Sequence, residues 1–123
     1  MAKLLIVEDD ESVRTLAARA LERDGHNVTI ATDGAHGLDM IRQALGGYDL
    51  VVSDIRMPEM DGIEMAIAAS RLFPAMKILL MTGYADQRER AEELNGIIID
   101  VVQKPFTLAE IRSRVEQALA CFA

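Results

Sequence analysis

Short apolar runs separated by stretches of helical periodicity constrain this chain more than any other feature. The runs are LLIV at 4–7, VTIA at 28–31, LVVS at 50–53, ILLM at 78–81 and VVQ at 101–103. A strand that is apolar on both faces must be covered on both faces. Sheets of that kind are parallel, with helices as the crossovers. Val13, Leu16, Ala17, Ala20 and Leu21 form the buried stripe of a first helix, which Gly25 stops. A second helix runs from about 35 to 45 and ends at Gly46-Gly47. Ile63, Ala66, Ile67 and Ser70 mark a third, ended near Pro74. Residues 86–94 are helical by propensity, with Ala91 and Leu94 as clear apolar anchors, and Leu108, Ile111, Val115 and Leu119 line the last helix. The fold class is therefore α/β, a five-stranded parallel sheet with five helices on its two faces. At 123 residues, half of them hydrophobic, the chain has the size of one domain. Without a visible linker or repeat, a single domain over 1–123 is expected.

Parallel strands end at a common edge, and here that edge gathers acids. Glu8 and Asp9 follow the first run and Asp54 follows the third. If the first and third strands are neighbours, three carboxylates crowd together and raise one another's pKa. A divalent cation relieves that repulsion. Mg2+ suits it best, because it takes few carboxylates and keeps water and phosphate oxygens. Acids at strand ends are also common as ordinary loop residues. Asp54 lies in SDIRMPEMDG, and a carboxylate can attack phosphorus to give an acyl phosphate. Pro58 and Asp61-Gly62 in the same stretch read equally as a helix-start proline and a plain turn. Thr82 ends the fourth run, where its hydroxyl either donates to a phosphoryl oxygen or caps the loop. Lys104, in VVQKPF, is a flexible point charge suited to phosphate, or else a solvated lysine at a strand end. The bond from Lys104 to Pro105 is a candidate for the cis form.

Lys plus Arg is 13 against 20 Asp plus Glu, a net charge of −7, which argues against direct nucleic-acid binding. Cys121 is the single cysteine and cannot close an internal disulfide, while His26 and His36 lack metal-ligand spacing. No apolar run reaches the ~18 residues of a membrane span. No signal-peptide pattern opens the chain, so a cytoplasmic protein without a membrane partner is expected.

Taken as a set, LLIVEDD, VVSDIRMPEMDG, ILLMTG and VVQKPFT resemble the response regulator receiver domain over essentially the whole chain. The resemblance implies a flavodoxin-like sheet of order 2-1-3-4-5, which spacing alone leaves open. It implies that Asp54 is the phosphoacceptor. Glu8 and Asp9 would hold Mg2+ together with Asp54 and the main-chain carbonyl of Arg56. Thr82 and Lys104 would bind the phosphoryl oxygens, and Asp10 would cap the first helix. The phosphodonor would be a histidine phosphotransferase or a hybrid histidine kinase. The chain would take part in its own phosphoryl transfer and dephosphorylation without being a turnover enzyme.

Val101 stands where receivers often carry an aromatic residue, so an aromatic rotamer switch there is not expected. Tyr84 is either a substitute signalling group or a surface packing residue. Arg56 and Tyr84 flank the site at positions that tune loss of the phosphoryl group, which implies a slowly decaying phosphorylated state.

The stretches EDDESVRTLAARALERDGH, SDIRMPEMDGIEMA, LLMTGYADQRERA and DVVQKPFTLAEI further resemble the stand-alone cell-cycle receivers of alphaproteobacteria, which lack an attached output domain. That resemblance implies an adaptor that binds ClpX and aids ClpXP proteolysis when unphosphorylated. An intermediate phosphotransfer protein is the alternative. A phosphatase with a covalent aspartyl phosphate is disfavoured, because Ile55 and Arg56 rather than a second acid follow Asp54. The output surface is expected over 84–106 with the last helix. Within it Ile97, Ile98 and Ile99 either expose a contact residue or all pack under a bent loop. Phe122 is expected to pack in a final helical turn.

Overall fold

A computed structural model describes residues 2–83, 89–91, 94 and 96–120. Along the chain come β1 (Lys3–Val7), α1 (Glu11–Arg23), β2 (Asn27–Ala31), α2 (Gly34–Gln43), β3 (Leu50–Asp54), α3 (Gly62–Leu72) and β4 (Ile78–Thr82). Helical residues 89–91 (α4), β5 (Asp100–Gln103) and α5 (Leu108–Ala120) follow. The strands form one parallel sheet in the order β2-β1-β3-β4-β5, the flavodoxin-like arrangement expected.

Alternate side chains of each central strand enter two separate cores. Leu5, Val7, Val51, Ile78 and Leu80 join α2 and α3 residues such as Ile41, Met65 and Ala66 on one face. Leu4, Ile6, Val52, Leu79 and Met81 join Leu21 of α1 and Ile111 and Val115 of α5 on the other. Each fully buried Leu, Ile, Val or Met contributes about 1.5–3 kcal/mol, so the sheet centre is the most stable part. The edge strand β2 departs from the apolar reading. Asn27 and Ile30 are exposed and Ala31 is buried, because only one neighbour and fewer helix residues cover an edge.

Helix boundaries follow capping chemistry. Asp10 caps α1, accepting from the amides of Ser12 and Val13 as expected. Asp33 caps α2 by accepting from the amide of His36. Asp61 and Glu64 form a reciprocal capping box at α3. Three details correct the sequence reading. Leu16, placed in the buried stripe of α1, is 54% exposed, and Ala18 is buried in its stead. Helix α2 ends at Gln43, leaving Leu45 beyond it with φ at 53°. Leu108 opens α5 as an exposed residue rather than part of its buried face. Among the described residues, no helix is long and apolar enough to cross a membrane.

Register sets up the site. Val7 pairs with Ser53, so the residues that leave β1 and β3 emerge side by side. Asp54 pairs with Met81, and Thr82 with Gln103. Glu8, Asp54, Thr82 and Lys104 therefore share the carboxyl edge of the sheet, flanking the point where strand order reverses, as ligand sites in such folds do.

Candidate functional site

Carboxylate oxygens of Glu8, Asp9 and Asp54 lie within 4.8 Å of one another. Glu8 is fully buried and Asp54 is 8% exposed, whereas Asp9 faces solvent. Lys104 reaches in from the end of β5. Its Nζ lies 2.8 Å from Glu8 Oε1 and 3.1 Å from Asp54 Oδ2. The remaining oxygens are also engaged. Asp54 Oδ1 accepts from the amide of Ile55 at 2.9 Å, and Glu8 Oε2 accepts from the amide of Asp10 at 3.2 Å.

Crowding shows in the ionisation of the site. Burial pushes the Asp9 carboxyl above its usual range, and the hydrogen bond and charge of Glu8 push the same way. Burial works against the Lys104 ammonium. The hydrogen bond to Glu8 and the charges of Asp54 and Glu8 outweigh it and hold the lysine above its ordinary value. Three carboxylates face one ammonium, so the ionised cluster keeps an excess of negative charge. The donor set is all oxygen, with no imidazole or thiolate, which fits a hard divalent cation better than zinc.

The acids open into a cavity of about 700 Å³ whose lining includes Arg56, Gly83, Lys104 and Phe106. A second hollow of about 750 Å³, lined by Tyr48, Phe73 and Lys77, contains none of the three clustered acids. Thr82 is buried at the end of β4, and its carbonyl accepts from the amide of Lys104 at 2.7 Å, which ties the strand to the lysine-bearing loop. The Lys104-Pro105 peptide is cis. The structure thus brings Glu8, Asp9, Asp54, Arg56 and Lys104 to one cavity, with Thr82 at the end of the neighbouring strand and tied through its main chain to Lys104.

Away from the acids, Val101 is buried in the same core as Ala91. Ile97 and Ile98 pack against that core and Ile99 against the other. All three isoleucines are half-buried. Tyr84 and Phe122 lie outside the described residues.

Two residues of the site escaped the sequence reading. A Cβ on Gly62 would lie 2.1 Å from the carbonyl oxygen of Asp54, so the start of α3 presses directly on the acid's main chain. Arg14 of α1 donates from Nη1 to the carbonyl of Glu8 at 3.0 Å. Gly62 read as part of an ordinary turn and Arg14 was not singled out; neither carries a local sequence signal of its contact.

Residues 4–116 match the response regulator receiver domain family, and the chain belongs to it. Among curated relatives it is 34% identical over 119 residues to the response regulator receiver protein CpdR of Brucella abortus, covering 97% of this chain and 98% of that protein. It is 35% identical over 117 residues to the transcriptional regulatory protein ZraR of Escherichia coli, covering 95% of this chain but only 26% of ZraR. To the sensor kinase CckA of Brucella abortus it is 32% identical over 118 residues, covering 96% of this chain and 12% of the kinase. CpdR is thus one of several about equally similar relatives. Of solved structures, TrrA from Thermotoga maritima in complex with Mg(2+)-BeF superposes with a TM-score of 0.85 at 29% identity, covering 96% of this chain and 99% of that one. The chain is a receiver domain of two-component signalling, and its acidic cluster is suited to a divalent metal.

Proposed function

We propose that this receiver accepts a phosphoryl group on Asp54 and uses it to gate binding to another protein. The observation that carries this reading is the placement of Lys104. Its ammonium bridges Asp54 Oδ2 and Glu8 Oε1 inside a trio of carboxylates. A flexible ammonium there offsets part of the negative charge around the nucleophile and suits an oxygen of an incoming phosphoryl group.

In the proposed step an Asp54 carboxylate oxygen attacks phosphorus of a phosphohistidine. The O–P bond forms as the P–N bond breaks, and the imidazole leaves with the electron pair. Lys104 and the Thr82 hydroxyl bind the transferred oxygens. Glu8, Asp9, Asp54 and the Arg56 carbonyl are the groups that would hold Mg2+, which when bound offsets charge on the transferring group. Support for that choice comes from the oxygen-only donor set and from the Mg2+ bound in the similar TrrA structure. Water attack on the acyl phosphate resets the protein, and Arg56, which lines the cavity, slows it by shielding. The phosphodonor is a histidine phosphotransferase or hybrid histidine kinase.

For output, similarity to CpdR along nearly its full length favours an adaptor whose unphosphorylated form engages ClpX for ClpXP proteolysis. Val101, Tyr84 and the isoleucines 97–99 are the residues through which Thr82 would act on that surface. Similarity to the sensor kinase CckA favours the second reading, an intermediate that passes phosphate between histidine proteins.

The test is transfer of labelled phosphate from a phosphorylated histidine phosphotransferase, with Mg2+, to wild type and Asp54→Ala, followed by ClpX pull-down. Label lost in the variant, with ClpX held only by unlabelled protein, supports the gated adaptor. Label with no ClpX difference moves the function to phosphate shuttling. Absence of Asp54-dependent label across several donors overturns the reading.

A further inference from the structure

We propose that Arg14 is a positioning residue for the acid pair and sets the affinity of the cation site. The proposal rests on the reading that Glu8, Asp9 and Asp54 hold Mg2+.

Arg14 grips the β1–α1 loop at two points. Its amide donates to the carbonyl of Asp10 at 2.9 Å, as any residue in the first turn of a helix would. Its guanidinium Nη1 donates back to the carbonyl of Glu8 at 3.0 Å, across a gap of six residues. These two carbonyls stand on either side of Asp9. The acid whose side chain has least protein around it is therefore held through its main chain, on both sides, by one residue of α1.

Glu8 itself is fixed from four directions. Its amide donates to the carbonyl of Ala31 at 3.1 Å, its carbonyl accepts from Arg14, and its carboxylate accepts from Lys104 and from the amide of Asp10. The Lys104 contact must yield when a phosphoryl group draws the ammonium away. The Arg14 side chain holds Glu8 by its main-chain carbonyl rather than its carboxylate, so this contact survives that change and keeps Glu8 and Asp9 in place through the reaction.

Stability alone does not explain this arginine. Among the described residues its Nε is buried without a hydrogen-bond partner, an arrangement that costs free energy. A shorter aliphatic side chain on α1 would leave no such donor behind. What a long side chain ending in a donor supplies here is a hydrogen bond to the Glu8 carbonyl. Partners in the shell around metal ligands commonly change affinity by about 10–100-fold.

The experiment is Mg2+ titration by calorimetry on the whole chain, comparing wild type, Arg14→Ala, Arg14→Lys and Asp9→Asn, with urea unfolding of each in chelator. Arg14→Ala is expected to weaken Mg2+ binding about tenfold. Arg14→Lys, which keeps a charged donor of nearly the same reach, is expected to recover most of it at an equal folded fraction. Asp9→Asn weakened while Arg14→Ala binds as wild type overturns the positioning role and leaves the metal reading standing. Wild type that binds no Mg2+ overturns both. If Arg14→Ala does not fold, Arg14→Lys decides, and a folded lysine variant with affinity lost as fully as in Asp9→Asn overturns the proposal.

Discussion

Replacing Gly62 with alanine tests how closely the start of α3 bears on the phosphoacceptor loop. The added Cβ would lie 2.1 Å from the Asp54 carbonyl oxygen and 3.0 Å from both the Asp54 carbonyl carbon and the Ile55 Cα. That is roughly 1 Å or more inside van der Waals contact. All three atoms are main chain, so no rotamer change relieves the clash. Asp54 O also accepts from Ser53 Oγ at 2.9 Å, and Gly62 donates to the carbonyl of Ile55 at 2.7 Å. Either these bonds stretch or the first turn of α3 lifts. Overpacking of this kind costs about 1–3 kcal/mol, which for a domain of this size lowers Tm by roughly 4–12 °C. The strain falls on the residue that carries the nucleophile, so Asp54-dependent labelling should slow as well. Gly83→Ala is the control, because among the described residues its Cβ would meet only Lys104 Cβ, at an ordinary 3.8 Å. Urea unfolding and label transfer on both variants provide the assay. Gly62→Ala as stable and as readily labelled as Gly83→Ala would refute the argument.

Three further outcomes follow from charge and backbone. Lys104→Met leaves Glu8 and Asp54 without their cation. It should lose stability at pH 7, by about 1–3 kcal/mol after allowing for the partial exposure of the lysine. The lysine's folded pKa is raised, so its contribution is complete below the ordinary value of 10.5 and is lost as pH rises through the higher folded value; urea midpoints of the two proteins should converge in that alkaline window. Asp9→Asn removes a like charge from the cluster and should stabilise the metal-free protein slightly at pH 7, by less than about 1 kcal/mol given solvent screening. Because the Asp9 pKa is raised above 3.8, that gain should vanish as pH falls through the folded value towards 3.8, and added Mg2+ should reverse its sign at neutral pH. Leu45 sits at φ 53° and is 80% exposed, so Leu45→Asn, which tolerates the left-handed region, should raise the urea midpoint by an amount equivalent to about 0.5–1 kcal/mol.

What was legible in the sequence was whatever depends on strand ends. Glu8, Asp54, Thr82 and Lys104 each follow an apolar run directly, and a parallel sheet delivers the ends of its strands to one edge whatever the details of packing. The order of the strands was not legible from spacing, because crossover length is compatible with several neighbours; resemblance to a family supplied it. Helix faces were read less well for a local reason. In α1, alanine and leucine compete for the same stripe, and the small Ala17 and Ala18 pack with the sheet residues while Leu16 turns outward beside the cavity. The sequence cannot show that contact distance rather than hydrophobicity decides there. The same holds for Gly62, where the absence of a side chain is what lets two backbones meet, and for Arg14, whose partner is a carbonyl common to every residue type. Chemistry that resides in side-chain identity at a strand end can be read along the chain. Chemistry that resides in main-chain positioning, as at Glu8 and Asp54, becomes visible only when helix and loop are seen together. For that reason the supports of this site are better targets for mutation than further changes to its acids. Removing an acid weakens binding under any account, whereas loosening its main chain changes affinity and rate only if the geometry matters.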